Sequence, residues 1–119
     1  MILDHFTVHT KDLQRAGDFY RQILGLTDGY RPPFDGPPGL WLYGAQGRPV
    51  VLLYAGREET PGLSSAVDHI AFLAQNLEET LGRLQENNVS YQQVTVPDTG
   101  TTQIFFSDPD GITIELNFD

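Results

Sequence analysis

The 119 residues carry 16 acidic side chains against 7 basic ones, a net charge of −9, and no cysteine. That charge repels phosphate backbones and anionic lipid, and the basic residues are dispersed along the chain, so neither nucleic acid nor membrane is an expected partner. No disulfide framework is possible, the first residues lack the charged and apolar regions of a secretory leader, and no apolar run approaches spanning length; a cytoplasmic protein of one domain, residues 1–119, is the expectation.

Residues 2–10 alternate, with Leu3, His5, Thr7 and His9 on one face and Asp4, Phe6 and Val8 on the other, the period of a strand. Asp12 then reads as a helix N-cap, and Leu13, Ala16, Phe19, Tyr20, Ile23 and Leu24 recur at helical spacing until Gly25 ends the run. Residues 31–39 hold four prolines and two glycines and read as a loop. Strands are predicted over 40–43 and 50–54, joined by a hairpin through Gly44 to Gly47. Residues 55–66 are polar and broken by Gly56, Pro61 and Gly62, a connector. Beyond it come a strand over 67–73, a helix from about Asn76 to Asn87, a strand over 90–96, and strands over 102–107 and 112–118 around the turn Asp108-Pro109-Asp110-Gly111.

This order repeats itself. Asp4-His5 and Asp68-His69 open the two halves 64 positions apart, and at the same offset Trp41 falls on Phe105 and Gly47 on Gly111. The chain therefore reads as an internal duplication, residues 1–55 and 66–119 joined by 56–65. The expected fold class is α+β: two βαβββ modules whose mixed sheets form a curved cleft with the helices outside. Along the last strand Ile112, Ile114, Leu116 and Phe118 share one face, while Thr113, Glu115 and Asn117 share the other. His5, His69 and Glu115 can thus converge from the polar rows, and two imidazoles with one carboxylate form a ligand set that leaves coordination positions open. Taken singly each has a plainer role, a hydrogen-bonded strand histidine or a solvated glutamate. Around them Thr7, His9, Arg31, Phe34, Trp41, Tyr43 and Phe105 are candidate substrate contacts, the aromatics as apolar walls and Arg31 as a partner for a carboxylate or phosphate.

Asp4-His5-Phe6-Thr7-Val8, Phe19-Tyr20 with Ile23-Leu24-Gly25-Leu26, and Asp108-Pro109-Asp110-Gly111 with Glu115 resemble the glyoxalase, bleomycin-resistance and extradiol-dioxygenase group, the vicinal oxygen chelate superfamily. The resemblance spans the chain. It implies paired βαβββ modules, a homodimer, and one divalent metal per site, Fe, Mn, Ni, Co or Zn, held by His5, His69 and Glu115. Glu115 is then also the candidate catalytic group, acting on a small substrate with adjacent oxygens. Lyase or isomerase chemistry ranks first, ring-cleaving dioxygenase chemistry second and thiol transfer third; the other reading is a metal-free protein that sequesters a drug or small molecule. Glyoxalase I enzymes add a first-half carboxylate at the place matching Glu115, where this chain has Val51 by strict offset, or Leu52 if the hairpins differ by one residue. The extradiol signature wants a tyrosine three residues ahead of Asp108, where Phe105 stands, and an earlier histidine that is absent around 96–98. The lysine and serine-rich potassium loop of fosfomycin-type transferases is likewise not visible in 94–102.

Overall fold

The structure, a computed structural model, describes residues 3–33, 35–57, 69–97 and 99–119. The chain folds as two compact units, Met1–Gly62 and Leu63–Asp119.

In the first unit, β1 (Phe6–His9) leads through Asp12 into α1 (Leu13–Leu24), followed by β2 (Thr27–Asp28), β3 (Gly39–Tyr43) and β4 (Pro49–Tyr54). The helix starts where predicted, because the Asp12 carboxylate accepts from the Arg15 amide at 3.0 Å, and it stops at Gly25, whose φ of 68° is left-handed. Ala16, Tyr20 and Ile23, spaced one helical turn apart, are buried together with Val8, Leu42, Val51 and Leu53. Phe6 meets the Tyr20 ring edge-on at 6.5 Å, which fixes the face of β1 that carries Phe6 and Val8 as the core face. The sheet runs β1-β4-β3-β2, with β1 and β4 parallel and the other pairs antiparallel.

The second unit repeats the plan with β5 (His69–Leu73), α2 (Leu77–Glu86), β6 (Gln92–Thr95), β7 (Thr102–Ser107) and β8 (Thr113–Phe118), in the sheet order β5-β8-β7-β6. Its core is Leu84 with Ile104, Phe106, Ile114, Leu116 and Phe118, and burying each such side chain contributes roughly 2 kcal/mol. Two four-stranded mixed sheets, each with one helix, make two βαβββ modules, an α+β fold.

Some predicted boundaries shift, the strand expected over 90–96 spanning only Gln92–Thr95. The first strand spans only Phe6–His9, so His5 immediately precedes it. The two-residue strand β2 completes the first module but is too short to carry a periodicity. Positions 67 and 68 of the predicted fifth strand, and 58–65 of the connector, lie outside the described residues. Among the described residues no helix is long and apolar enough to cross a membrane.

Candidate functional site

The turn Asp108-Pro109-Asp110-Gly111 sets the register of the second sheet. The buried Asp108 carboxylate accepts from the amides of Asp110 at 2.9 Å and Ile112 at 2.8 Å, while Gly111 takes a φ of 86°, closed to most side chains. With the turn so fixed, Phe105 stands opposite Glu115 and Gln103 opposite Asn117 across β7 and β8, and Ala71 stands beside Glu115 across β5 and β8. His69, Glu115, Asn117, Gln103 and Phe105 therefore share one face of the sheet, opposite to the core residues Ile114 and Leu116.

On that face the His69 Nε2 lies 2.9 Å from Glu115 Oε2, with the imidazole 40% exposed and the carboxylate 9% exposed. The other carboxylate oxygen, Oε1, accepts from the Gln103 amide at 2.7 Å. The same amide nitrogen donates to Asn117 Oδ1 at 3.0 Å, which fixes the amide flip, since both acceptors are oxygens. A buried carboxylate needs such partners, and here the amide holds one oxygen while the other faces the histidine. Sequence reasoning missed Gln103. Its parity with Phe105, once the turn sets the hairpin, is the signal that points to it.

In the first unit Thr7 pairs with Leu52, which faces Trp41, and His9 pairs with Tyr54, which faces Gly39. Thr7, His9, Leu52, Trp41 and Tyr54 thus share the face turned away from Val8 and Leu53. His5, two residues before Thr7, has the same parity. Its Nδ1 lies 2.6 Å from Asp4 Oδ2, and that carboxylate also pairs with Arg48. The hydrogen bond to His5 first, and the one to Arg48 second, hold Asp4 below the usual carboxylate range. His9 Nε2 meets the Ala55 carbonyl at 3.0 Å, a structural tie. Tyr43 donates its hydroxyl to the Tyr30 carbonyl at 2.6 Å, and its ring lies where a Cβ on Gly29 would sit, so its polar end is committed to the β2–β3 connection. Trp41 and Phe105 are half-buried beside Leu52 and Glu115 respectively. Phe34 lies outside the described residues.

The two units differ at one decisive place. His69 stands two residues before the partner of Glu115, and His5 stands two residues before the partner of Leu52. Leu52, not Val51, is therefore the counterpart of Glu115, and it is apolar and 5% exposed. The pair in the second unit, one imidazole nitrogen and one carboxylate oxygen 2.9 Å apart, offers donors of the kind that suits a divalent ion of intermediate softness. Among the described residues no cluster of three or more His, Asp or Glu side chains is gathered; His69 and Glu115 form a pair.

The comparisons with known proteins agree with this architecture. A glyoxalase/dioxygenase from Nostoc punctiforme superposes with a TM-score of 0.78 at 23% identity, covering 99% of this chain and 90% of that one. A fosfomycin resistance protein, FosX, from Listeria monocytogenes gives a TM-score of 0.72 at 22% identity, with coverage of 98% and 92%. In sequence, a lactoylglutathione lyase of Escherichia coli O157:H7 is 31% identical over 98% of this chain and 91% of its own. A protein of Arabidopsis thaliana named Glyoxylase I 4 is 30% identical over 96% of this chain and 68% of its own. The family model of the Glyoxalase/Bleomycin resistance protein/Dioxygenase superfamily matches residues 2–116, and the chain belongs to that superfamily.

Proposed function

We propose that this protein is a divalent-metal-dependent enzyme of the lyase or isomerase type, acting on a small substrate with adjacent oxygens. Its ligands are His69 and Glu115, with His5 as the third, and the protein is a homodimer. The observation that carries the reading is the 2.9 Å approach of His69 Nε2 to Glu115 Oε2, with Gln103 occupying the far carboxylate oxygen. A histidine nitrogen and a buried carboxylate oxygen brought this close on one sheet face are two donor atoms of the kind a divalent ion takes. Sequence likeness to a lactoylglutathione lyase supports the lyase class, whereas Leu52 in place of a second carboxylate separates this chain from a glyoxalase I with two metal-side glutamates.

A bound divalent ion would supply Lewis acidity, polarising the substrate oxygens as negative charge develops. The chain's own residues do the rest. Gln103 keeps Glu115 in one rotamer, so Oε2 alone faces the site. Among the described strand residues of this face Glu115 is the only carboxylate, and its Oε2 is the atom that would take up and return the substrate proton. Phe105, opposite Glu115, walls the carboxylate from water on one side.

Elemental mass spectrometry of the purified protein tests this directly. Near-stoichiometric metal, lost together in His69→Ala, Glu115→Ala and His5→Ala while each variant stays folded, is the expected result. Protein that is metal-free as isolated and takes up no Fe(II), Mn(II), Ni(II), Co(II) or Zn(II) would overturn it and leave a metal-free binding protein of the bleomycin-resistance kind.

A further inference from the structure

The chain has seven basic residues against 16 acidic ones, and three of its six arginines pair with carboxylates: Arg21 with Asp18 and Asp28, Arg48 with Asp4 and Arg83 with Glu79. Arg31 is different. It is half-buried, and no carboxylate meets it among the described residues. Its guanidinium carbon lies 5.5 Å from the centre of the Tyr54 ring, and its Nη2 donates to the Pro37 carbonyl at 3.2 Å. Its Nε is buried with no hydrogen-bond partner. Glycine at 39 permits this placement, because a Cβ there would come within 3.1 Å of Arg31 Nε and 2.6 Å of the Leu53 carbonyl.

Holding a guanidinium against an aromatic face desolvates it in part and fixes its plane, and a partly desolvated cation gains more from an anion than an exposed one does. In a protein of net charge −9, leaving such a group without a carboxylate keeps its remaining hydrogens available. Its place in the fold also matters. Tyr54 pairs with His9 and Gly39, so Arg31 lies over the face of the first sheet that carries Thr7 and His9. Within that row His9, the residue paired with Tyr54, is four residues along the chain from His5, about 13 Å at the usual rise.

We propose that Arg31, stacked on Tyr54 and braced by Pro37, is an anion-binding subsite that takes the carboxylate or phosphate group of a small molecule. The inference deepens the proposed function by giving the substrate an anionic group, held over the face of the first sheet that carries Thr7 and His9, and to that extent it rests on that reading. The planar fork accepts either group in a two-bond arrangement, and Tyr54 supplies an apolar floor beneath it.

The test uses protein freed of metal by chelator and then desalted, so that it reads the subsite apart from the metal. Inorganic phosphate and acetate are titrated separately into wild type and each variant while the backbone amide signal of Gly39, which lies against the Arg31 side chain, is followed by NMR. A saturable shift of that signal is expected with at least one anion, and the stronger of the two identifies the group. Arg31→Gln should weaken binding at least about 10-fold, the scale of one lost charge-assisted hydrogen bond. Arg31→Lys, which keeps the charge but not the planar guanidinium, should retain a weaker response, and the exposed-surface control Arg15→Gln should bind as wild type does. No saturable response to either anion, or a response unchanged in Arg31→Gln, overturns the proposal. Loss in Arg31→Gln with the Arg31→Lys response retained excludes simple misfolding. Failure of metal binding in the previous experiment would leave this result standing, and the reverse also holds.

Discussion

The two βαβββ units carry the same strand order and the same histidine two residues ahead of the same parallel pairing, yet one pairing ends in Glu115 and the other in Leu52. Around Glu115 the second unit adds Gln103, Asn117 and His69, a connected polar array. Around Leu52 the first unit places Trp41, Tyr54 and the stacked Arg31, an aromatic wall with one cation. The two units thus share a backbone plan and differ in side chains, a connected polar array on one sheet and an aromatic wall with one cation on the other. That difference is what substitutions can break.

Converting the second unit into a copy of the first, with Glu115→Leu, should have the largest effect. It removes a ligand oxygen and leaves the Gln103 amide facing a methyl group, so metal affinity should fall at least about 100-fold, more than loss of a supporting partner brings. Metal titration by calorimetry checks it. Affinity within a few-fold of wild type would show that Glu115 is not a ligand. The converse change, Leu52→Glu, buries a carboxylate where a leucine is 5% exposed. Without metal it should destabilise the fold by about 2–4 kcal/mol through desolvation and lost packing. Added Mn(II) or Ni(II) should return part of that, read as a larger rise in melting temperature than wild type shows. Equal rises in the two proteins would mean that a carboxylate at position 52 takes no part in binding the added ion.

How much of this was legible beforehand follows from how local each signal is. Asp12 and Gly25 bound α1 through contacts within a few residues, and both were readable from the sequence. The alternation of Ile114, Leu116 and Phe118 against Glu115 and Asn117 was readable too, because a strand has a fixed period. The counterpart of Glu115 was not, since it depends on hairpin length. Phe105 pairs with Glu115 and Trp41 with Leu52, so the first hairpin is one residue longer, and the register shift between Leu42 and Tyr43 absorbs it. A strict offset therefore lands on Val51, which is in the core. Gln103 and the Arg31–Tyr54 stack escaped for the same reason: each is a contact between strands or between loop and strand, and no spacing along the chain encodes it.

Gln103 allows a finer test of the polar array. Gln103→Leu removes the donor to Glu115 Oε1 but leaves both ligands in place. Affinity for metal should fall about 10- to 100-fold, the range for partners that orient a ligand. Gln103→Glu should be worse than Gln103→Leu, because a second carboxylate meets the first and neither donates. An affinity unchanged in Gln103→Leu would reduce the amide to a packing residue.

The helices give the smallest and most local contrast. Asp12 caps α1 from an extended conformation with its carboxylate on the Arg15 amide. Asn76 precedes α2 with a left-handed φ of 69° and makes no side-chain bond to the helix backbone; its amide reaches the Glu79 side chain instead. The first turn of α2 carries Glu78 and Glu79, whose charge favours the positive helix end, whereas α1 has no acid there. The units therefore stabilise the same helix end by different means. Asp12→Ala should cost about 1 kcal/mol by urea unfolding, the usual worth of a side-chain cap. Asn76→Gly should cost nothing, or stabilise by up to about 1 kcal/mol, since glycine takes a positive φ without strain. An equal loss at both positions would mean that Asn76 caps its helix through contacts the static structure does not hold, and the contrast between the two helix starts would fall away.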